Sequence, residues 1–153
     1  MKAINVLILA SLPFLFGFSS KLVFEENNKV VWVTDYAKAL KDAKKSKKTL
    51  LLNFTGSDWC SWCIRLDKEV FDKAAFVEYA KKNLICVKLD FPQRTKVSPE
   101  EKIQNNKLMK KHSVKGFPTI LLVDAKENVV LRTGYQAGGE DAYIEHLKEA
   151  MTK

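Results

Sequence analysis

Two histidines and three cysteines are all that 153 residues offer toward transition metals. A tetrahedral zinc site begun by two thiolates still needs two more ligands, and only His112 and His146 could supply them. Both read as ordinary surface residues, one near a helix end and one on a helix face, so no metal and no separate cofactor is expected. Long apolar runs are also missing. After Lys21 nothing approaches the roughly 20 apolar residues that a membrane-spanning helix requires, which predicts a soluble domain. Aromatic residues do not interleave with the lysine clusters, which argues against a nucleic-acid platform. There is no internal repeat and no low-complexity tract. What is present, 46% hydrophobic and 29% charged, fits one globular domain plus a short extra segment.

That segment is N-terminal. Lys2 precedes an apolar run at residues 4–10 and a second at 12–16, followed by the small residues Gly17, Ser19 and Ser20. Basic, apolar and small residues in that order predict a signal peptide over residues 1–19, with the mature chain starting near Ser20. Pro13 and the shortness of the run argue against a packed span. An uncleaved anchor facing the same compartment is the alternative. Residues 20–28 form a linker and 29–153 the folded domain. The protein is therefore expected to be exported, to a bacterial periplasm or the exterior, without stable membrane association after cleavage, and as a monomer.

Net charge is +8, and loss of residues 1–19 removes only Lys2. Much of the excess lies at Lys38, Lys41, Lys44, Lys45, Lys47 and Lys48, among Tyr36, Ala39, Leu40 and Ala43 at helical spacing. This pattern predicts a solvated helix face. Attraction to an acidic partner or an anionic surface is the sharper alternative.

Along the chain, residues 29–33 read as a strand, and Thr34 or Asp35 caps a helix to about residue 46. Residues 49–54 are almost continuously apolar, as in a strand covered on both faces. A short helix from Cys60 carries Ile64, Leu66 and Val70, and Asp72 is expected to cap the next one. Strand 84–89, helix 100–111, strands 119–123 and 128–131, and a helix introduced by Gly138-Gly139 complete the order β-α-β-α-α-β-α-β-β-α. Strands alternating with helices and then a hairpin predict an α/β fold, a mixed sheet flanked by helices.

Cys60-Ser61-Trp62-Cys63 lies where the buried strand 49–54 hands over to a helix. The same spacing serves zinc ribbons, structural staples and redox pairs. In an exported protein the pair can be oxidised, reduced or cycling. Cys60 falls at a helix N-terminus, where unpaired amides and the helix dipole favour an anion. Lowering a thiol pKa from about 8.5 to about 7 takes only about 2 kcal/mol and makes roughly half of it thiolate at neutral pH. Cys86, within Leu84-Ile85-Cys86-Val87, is left over and reads as a buried, inert thiol.

Trp59-Cys60-Ser61-Trp62-Cys63 after Leu51-Leu52-Asn53-Phe54, then Val87-Lys88-Leu89-Asp90 and Gly116-Phe117-Pro118-Thr119, together resemble the thioredoxin family over roughly residues 29–152. Phe54-Thr55-Gly56-Ser57-Asp58-Trp59 and Lys68-Glu69-Val70-Phe71 are similar to its exported members, including the soluble domain of the membrane disulfide-interchange reductase. The resemblance implies the thioredoxin fold, with a central mixed five-stranded sheet. It implies a redox-active disulfide in which Cys60 is the nucleophile and Cys63 the resolving thiol. It also implies a cis-proline at Pro118, with Phe117 presenting backbone to the substrate and Trp59 beside the site. The expected activity is thiol–disulfide exchange with protein thiols or disulfides, in the reducing direction, with a further redox partner to reset the pair. A non-catalytic binding or chaperone-like module with a structural Cys60–Cys63 disulfide is the alternative.

Two positions depart from the family pattern. A buried acid is usual where Asn53 stands, and an amide cannot accept the resolving thiol's proton. Lys88 matches the lysine that accompanies that acid, and Asp58 is a candidate substitute through water. Ser61-Trp62 replaces the Gly-Pro of thioredoxins proper, in the dipeptide that helps set the reduction potential.

Overall fold

The computed structural model describes residues 28–152, so the expected signal segment at 1–19 and all of the linker but Asn28 lie outside the described residues. Strand β2 (Thr49–Thr55) is apolar at nearly every position because it is covered on both faces; all but its first residue are buried. It occupies the middle of a five-stranded sheet ordered β1-β3-β2-β4-β5. β1 (Trp32–Val33) and β3 (Leu84–Asp90) run parallel to it, whereas β4 (Thr119–Val123) is antiparallel to β2 and pairs antiparallel with β5 (Val129–Thr133). The mixed sheet expected from the order of elements is present.

One face of the sheet packs α1 (Tyr36–Ser46) and α4 (Pro99–Lys111) over Leu50, Leu52, Phe54, Val87 and Leu121. The other packs α2 (Ser61–Leu66), α3 (Ala74–Asn83) and α5 (Gly139–Met151) over Leu51, Ile120 and Leu122. Full burial of each such Leu or Ile contributes about 1.5–3 kcal/mol. Asp35 caps α1 by accepting from the Lys38 amide at 2.9 Å. Ser98 and Glu101 form a reciprocal capping box at α4, with Pro99 at its first position. Gly138, at φ 118°, supplies the left-handed turn into α5.

Three expectations need correction. The first strand is only Trp32–Val33, paired with Cys86 and Val87; Val31 is 70% exposed, clear of the sheet edge. Asp72 does not cap α3. A π-helical turn, Asp67–Phe71, follows α2, and the Asp72 amide closes it on the Asp67 carbonyl at 2.8 Å. That wider turn carries the helical path past Asp72, so α3 starts one residue later, with Lys73 at its N-cap. His112 is buried rather than superficial. It ends α4 with its ring edge-on to Phe54, and burial holds its pKa below the ordinary value. His146 is partly buried against Tyr143.

Candidate active site

β2 delivers the chain to a tight turn in which the Trp59 and Cys60 amides both donate to the Gly56 carbonyl, at 3.2 and 2.8 Å. Cys60 is thereby the N-cap of α2 and Cys63 sits within its first turn, on the inner side. The two are disulfide-bonded, with Cα atoms 5.2 Å apart. Cys60 is 7% exposed and Cys63 1%, so Cys60 is the more exposed of the two. The Cys63 amide donates to Cys60 Sγ at 3.2 Å. An amide of a helix's first turn aimed at the sulfur is the arrangement that favours a thiolate there.

Trp59, next to Cys60 in the chain, comes together with Phe117, the residue before Pro118. The Trp59 indole donates to the Phe91 carbonyl at 2.8 Å and stands edge-on to Phe117 at 5.9 Å. Phe117 also packs on Phe91 at 5.1 Å. The Phe117-Pro118 peptide bond is cis, and both residues are partly exposed at the entry to β4.

Asn53 and Lys88 are register partners on β2 and β3, on the sheet face that α2 covers. Asn53 Oδ1 and, two residues along, Thr55 Oγ1 are buried without a hydrogen-bonding partner among the described residues. Asp58 is placed elsewhere. Its carboxylate accepts from the amides of Gln93, Arg94 and Thr95 at 2.9, 2.7 and 2.8 Å. The Gln93 bond leads, with the other two, in pulling its pKa down to about 2. Such a group clamps a loop and is a poor proton acceptor near neutrality.

The acid that sequence reasoning missed is Asp67. It follows Cys63 by four residues and donates its amide to the Cys63 carbonyl, so the two share a helix face. Burial lifts the Asp67 pKa to about 6; Lys88 pulls it back, while Asp72 and Asp90 push it up. The signal was available as a carboxylate one turn past Cys63, flanked by the core residues Leu66 and Val70. Cys86 is a free, buried thiol whose pKa burial raises to about 12. Among the described residues no group of three or more His, Cys, Asp and Glu could hold a metal ion.

A family profile described as the thioredoxin-like domain matches residues 36–150. The chain belongs to the thioredoxin-like family. It is 36% identical over 116 residues to the disulfide bond reductase DsbH of Chlamydia pneumoniae, covering 76% of this chain and 70% of that protein. It superimposes on the solved structure of the DsbH oxidoreductase with a TM-score of 0.78 at 35% identity, over 81% of this chain and 85% of that one. The C-terminal domain of Neisseria meningitidis DsbD, in its oxidised form, matches with a TM-score of 0.51 at 20% identity, over 74% and 90% of the two chains. That last likeness speaks for the fold alone. A thioredoxin-like chain with its cysteine pair at the head of α2 is a thiol–disulfide oxidoreductase of the Dsb type.

Proposed function

We propose that the protein is an exported oxidoreductase that reduces disulfides in protein substrates. The observation that carries the reading is the placement of Cys60: it heads α2, it is the more exposed of the pair, and a first-turn amide points at its sulfur. The reducing direction draws support from the printed name of the Chlamydia relative, a disulfide bond reductase. Export draws support from the charge and apolar pattern of residues 1–19.

In the reduced protein the Cys60 thiolate attacks one sulfur of a substrate disulfide. A Cys60–substrate bond forms, the substrate bond breaks, and the second substrate sulfur leaves as a thiolate. Cys63, once deprotonated, attacks Cys60 Sγ and releases the remaining substrate thiol. Two electrons have then passed from the pair to the substrate, and the Cys60–Cys63 disulfide is closed. Asp67 accepts the Cys63 proton in this scheme, a role the Asn53 amide cannot fill, and Lys88 steadies the charge. Phe117 and Pro118 offer backbone to an extended substrate segment as an added strand, with Trp59 lining the approach. A separate dithiol partner returns two electrons after each cycle.

The test is a Cys63→Ala variant in its native compartment. Mixed disulfides between Cys60 and protein partners should accumulate, and the wild type should reduce a model protein disulfide. If neither happens, and partner binding survives Cys60→Ser/Cys63→Ser, the protein is a binding module with a structural disulfide. Equilibration with glutathione reports direction: a potential near the −270 mV of thioredoxins fits a reductant, and one near −120 mV a disulfide donor.

A further inference from the structure

Beside the disulfide lies a second aromatic group that the exchange chemistry does not use. Trp62, between the two cysteines, is 52% exposed. Its indole meets the ring of Tyr135 at 5.1 Å. The Arg65 guanidinium lies 5.5 Å from the Trp62 ring centre and 5.1 Å from that of Tyr135. Glu69 fixes both supports: one carboxylate oxygen accepts from Arg65 Nε at 2.7 Å and the other from the Tyr135 hydroxyl at 2.6 Å.

Stability alone accounts poorly for this cluster. An exposed i,i+4 ion pair such as Arg65–Glu69 adds little to stability. Each rotamer-rich side chain held still gives up conformational entropy. Tyr135, Arg65 and Glu69, all partly or largely exposed, are held in one arrangement around an indole that stays about half in solvent. The entropy of fixing these groups has been spent before any ligand arrives, which is the condition for a ready-made contact surface.

Position says what that surface faces. β4 and β5 pair Ile120 with Thr133, and continuing the register by two residues sets Tyr135 opposite Pro118. Gly134 is in the same place, since a Cβ there would stand 3.0 Å from the Pro118 carbonyl oxygen. Cys60, Pro118 and the Trp62–Tyr135 pair thus border a single spot. Charge says what fits. The Arg65 charge is already met by Glu69, so the cluster presents ring faces rather than a net positive field, and an apolar or aromatic group suits it better than an acidic one.

We infer that Trp62 and Tyr135, braced by Arg65 and Glu69, form a substrate subsite for an apolar or aromatic side chain close in sequence to the disulfide under attack. The inference rests on the proposed reductase activity and adds a selectivity to it. Tyr135 is the residue to vary, because changing Trp62 would also alter the dipeptide between the cysteines.

Two disulfide-bonded peptides serve as probes, identical except for Phe or Ser two residues from the cysteine, with hydroxyethyl disulfide as a side-chain-free reference for the wild type. The wild type should favour the Phe peptide in kcat/KM. Tyr135→Ala should reduce that preference about three- to tenfold, the scale of one aromatic contact, chiefly through KM of the Phe peptide. Tyr135→Leu, which retains apolar bulk against the core, should lose part of it and stands in if the alanine variant fails to fold. Equal turnover of the two peptides by the wild type, or an undiminished preference in a folded Tyr135 variant, overturns the subsite. Reduction of hydroxyethyl disulfide alongside such a result leaves the reductase reading standing. A wild type inactive on all three probes brings down both.

Discussion

At Gly56 an added methyl group would stand 2.5 Å from the Trp59 indole, closer than packed atoms tolerate. The missing side chain is what lets Trp59 fold back over the turn and donate to Phe91. Gly56→Ala is expected to push the indole outward, with a loss of about 1–3 kcal/mol typical of overpacking; urea unfolding and a red-shifted tryptophan emission would register it. Asp67 is the second residue whose environment dictates behaviour. Its folded pKa, about 6, lies above that of an unfolded aspartate. The neutral form is therefore favoured in the fold, and the associated stability is complete below about pH 4 and lost as pH rises through 6. Asp67→Asn should flatten that part of the stability profile and stabilise the protein at pH 7, by up to about 2 kcal/mol once partial exposure is allowed for. The same variant should slow release of substrate from the mixed disulfide near neutrality. Unchanged release kinetics would remove Asp67 from the proton path. The Cys60–Cys63 pairing was legible from its spacing, and the cis bond before Pro118 only through the resemblance carried by Gly116-Phe117-Pro118-Thr119. Asp67 was passed over although its place one turn past Cys63 stood in the sequence, since a carboxylate in a short helix reads as its wet side until burial is known.

Among elements, the loop between β3 and α4 shows how a site is held by something outside it. Three consecutive amides, of Gln93, Arg94 and Thr95, converge on the Asp58 carboxylate, two residues before Cys60. Asp58→Ala should free residues 93–95, seen as faster amide hydrogen exchange there, while the sheet amides keep their protection. Because the Asp58 pKa is depressed to about 2, the clamp is intact above about pH 4 and weakens as pH falls toward 2. Loop protection factors that do not change with pH over this range, once the intrinsic exchange rates are divided out, would show that the clamp is not electrostatic. The π turn after α2 is the other instructive element. Nothing in Asp67-Lys68-Glu69-Val70-Phe71 announces an i→i−5 turn, because its cause is tertiary: Val70 and Phe71 are both buried against the sheet. β1 was overlong in the sequence reading for a similar reason, as Val30 and Val31 have strand-forming side chains but a sheet edge ends where its partner allows.

For the molecule as a whole, the central strand decides the most. β2 pairs on both sides, contributes to both cores, and ends at the turn that leads into Cys60. Leu51→Ala, at a fully buried position in that strand, should lose about 2–5 kcal/mol, measured by denaturant unfolding. A loss under about 1 kcal/mol would mean the core collapses around the gap. β2, β3 and β4 were readable from their continuous apolar runs, and the alternation of elements was enough for the sheet. Which helix covered which face was not, because it depends on packing between distant segments. Cys86 gives this architecture a practical consequence. With its pKa near 12 and its sulfur shut inside the core, it is thiolate on the order of once in 10⁵ at neutral pH. After reduction, an alkylating reagent should consume the Cys60 thiol first; Cys63, 1% exposed in the disulfide, follows more slowly, and Cys86 comes third, only when the whole fold opens. That slow third event is a built-in clock for unfolding, readable by mass without any added label.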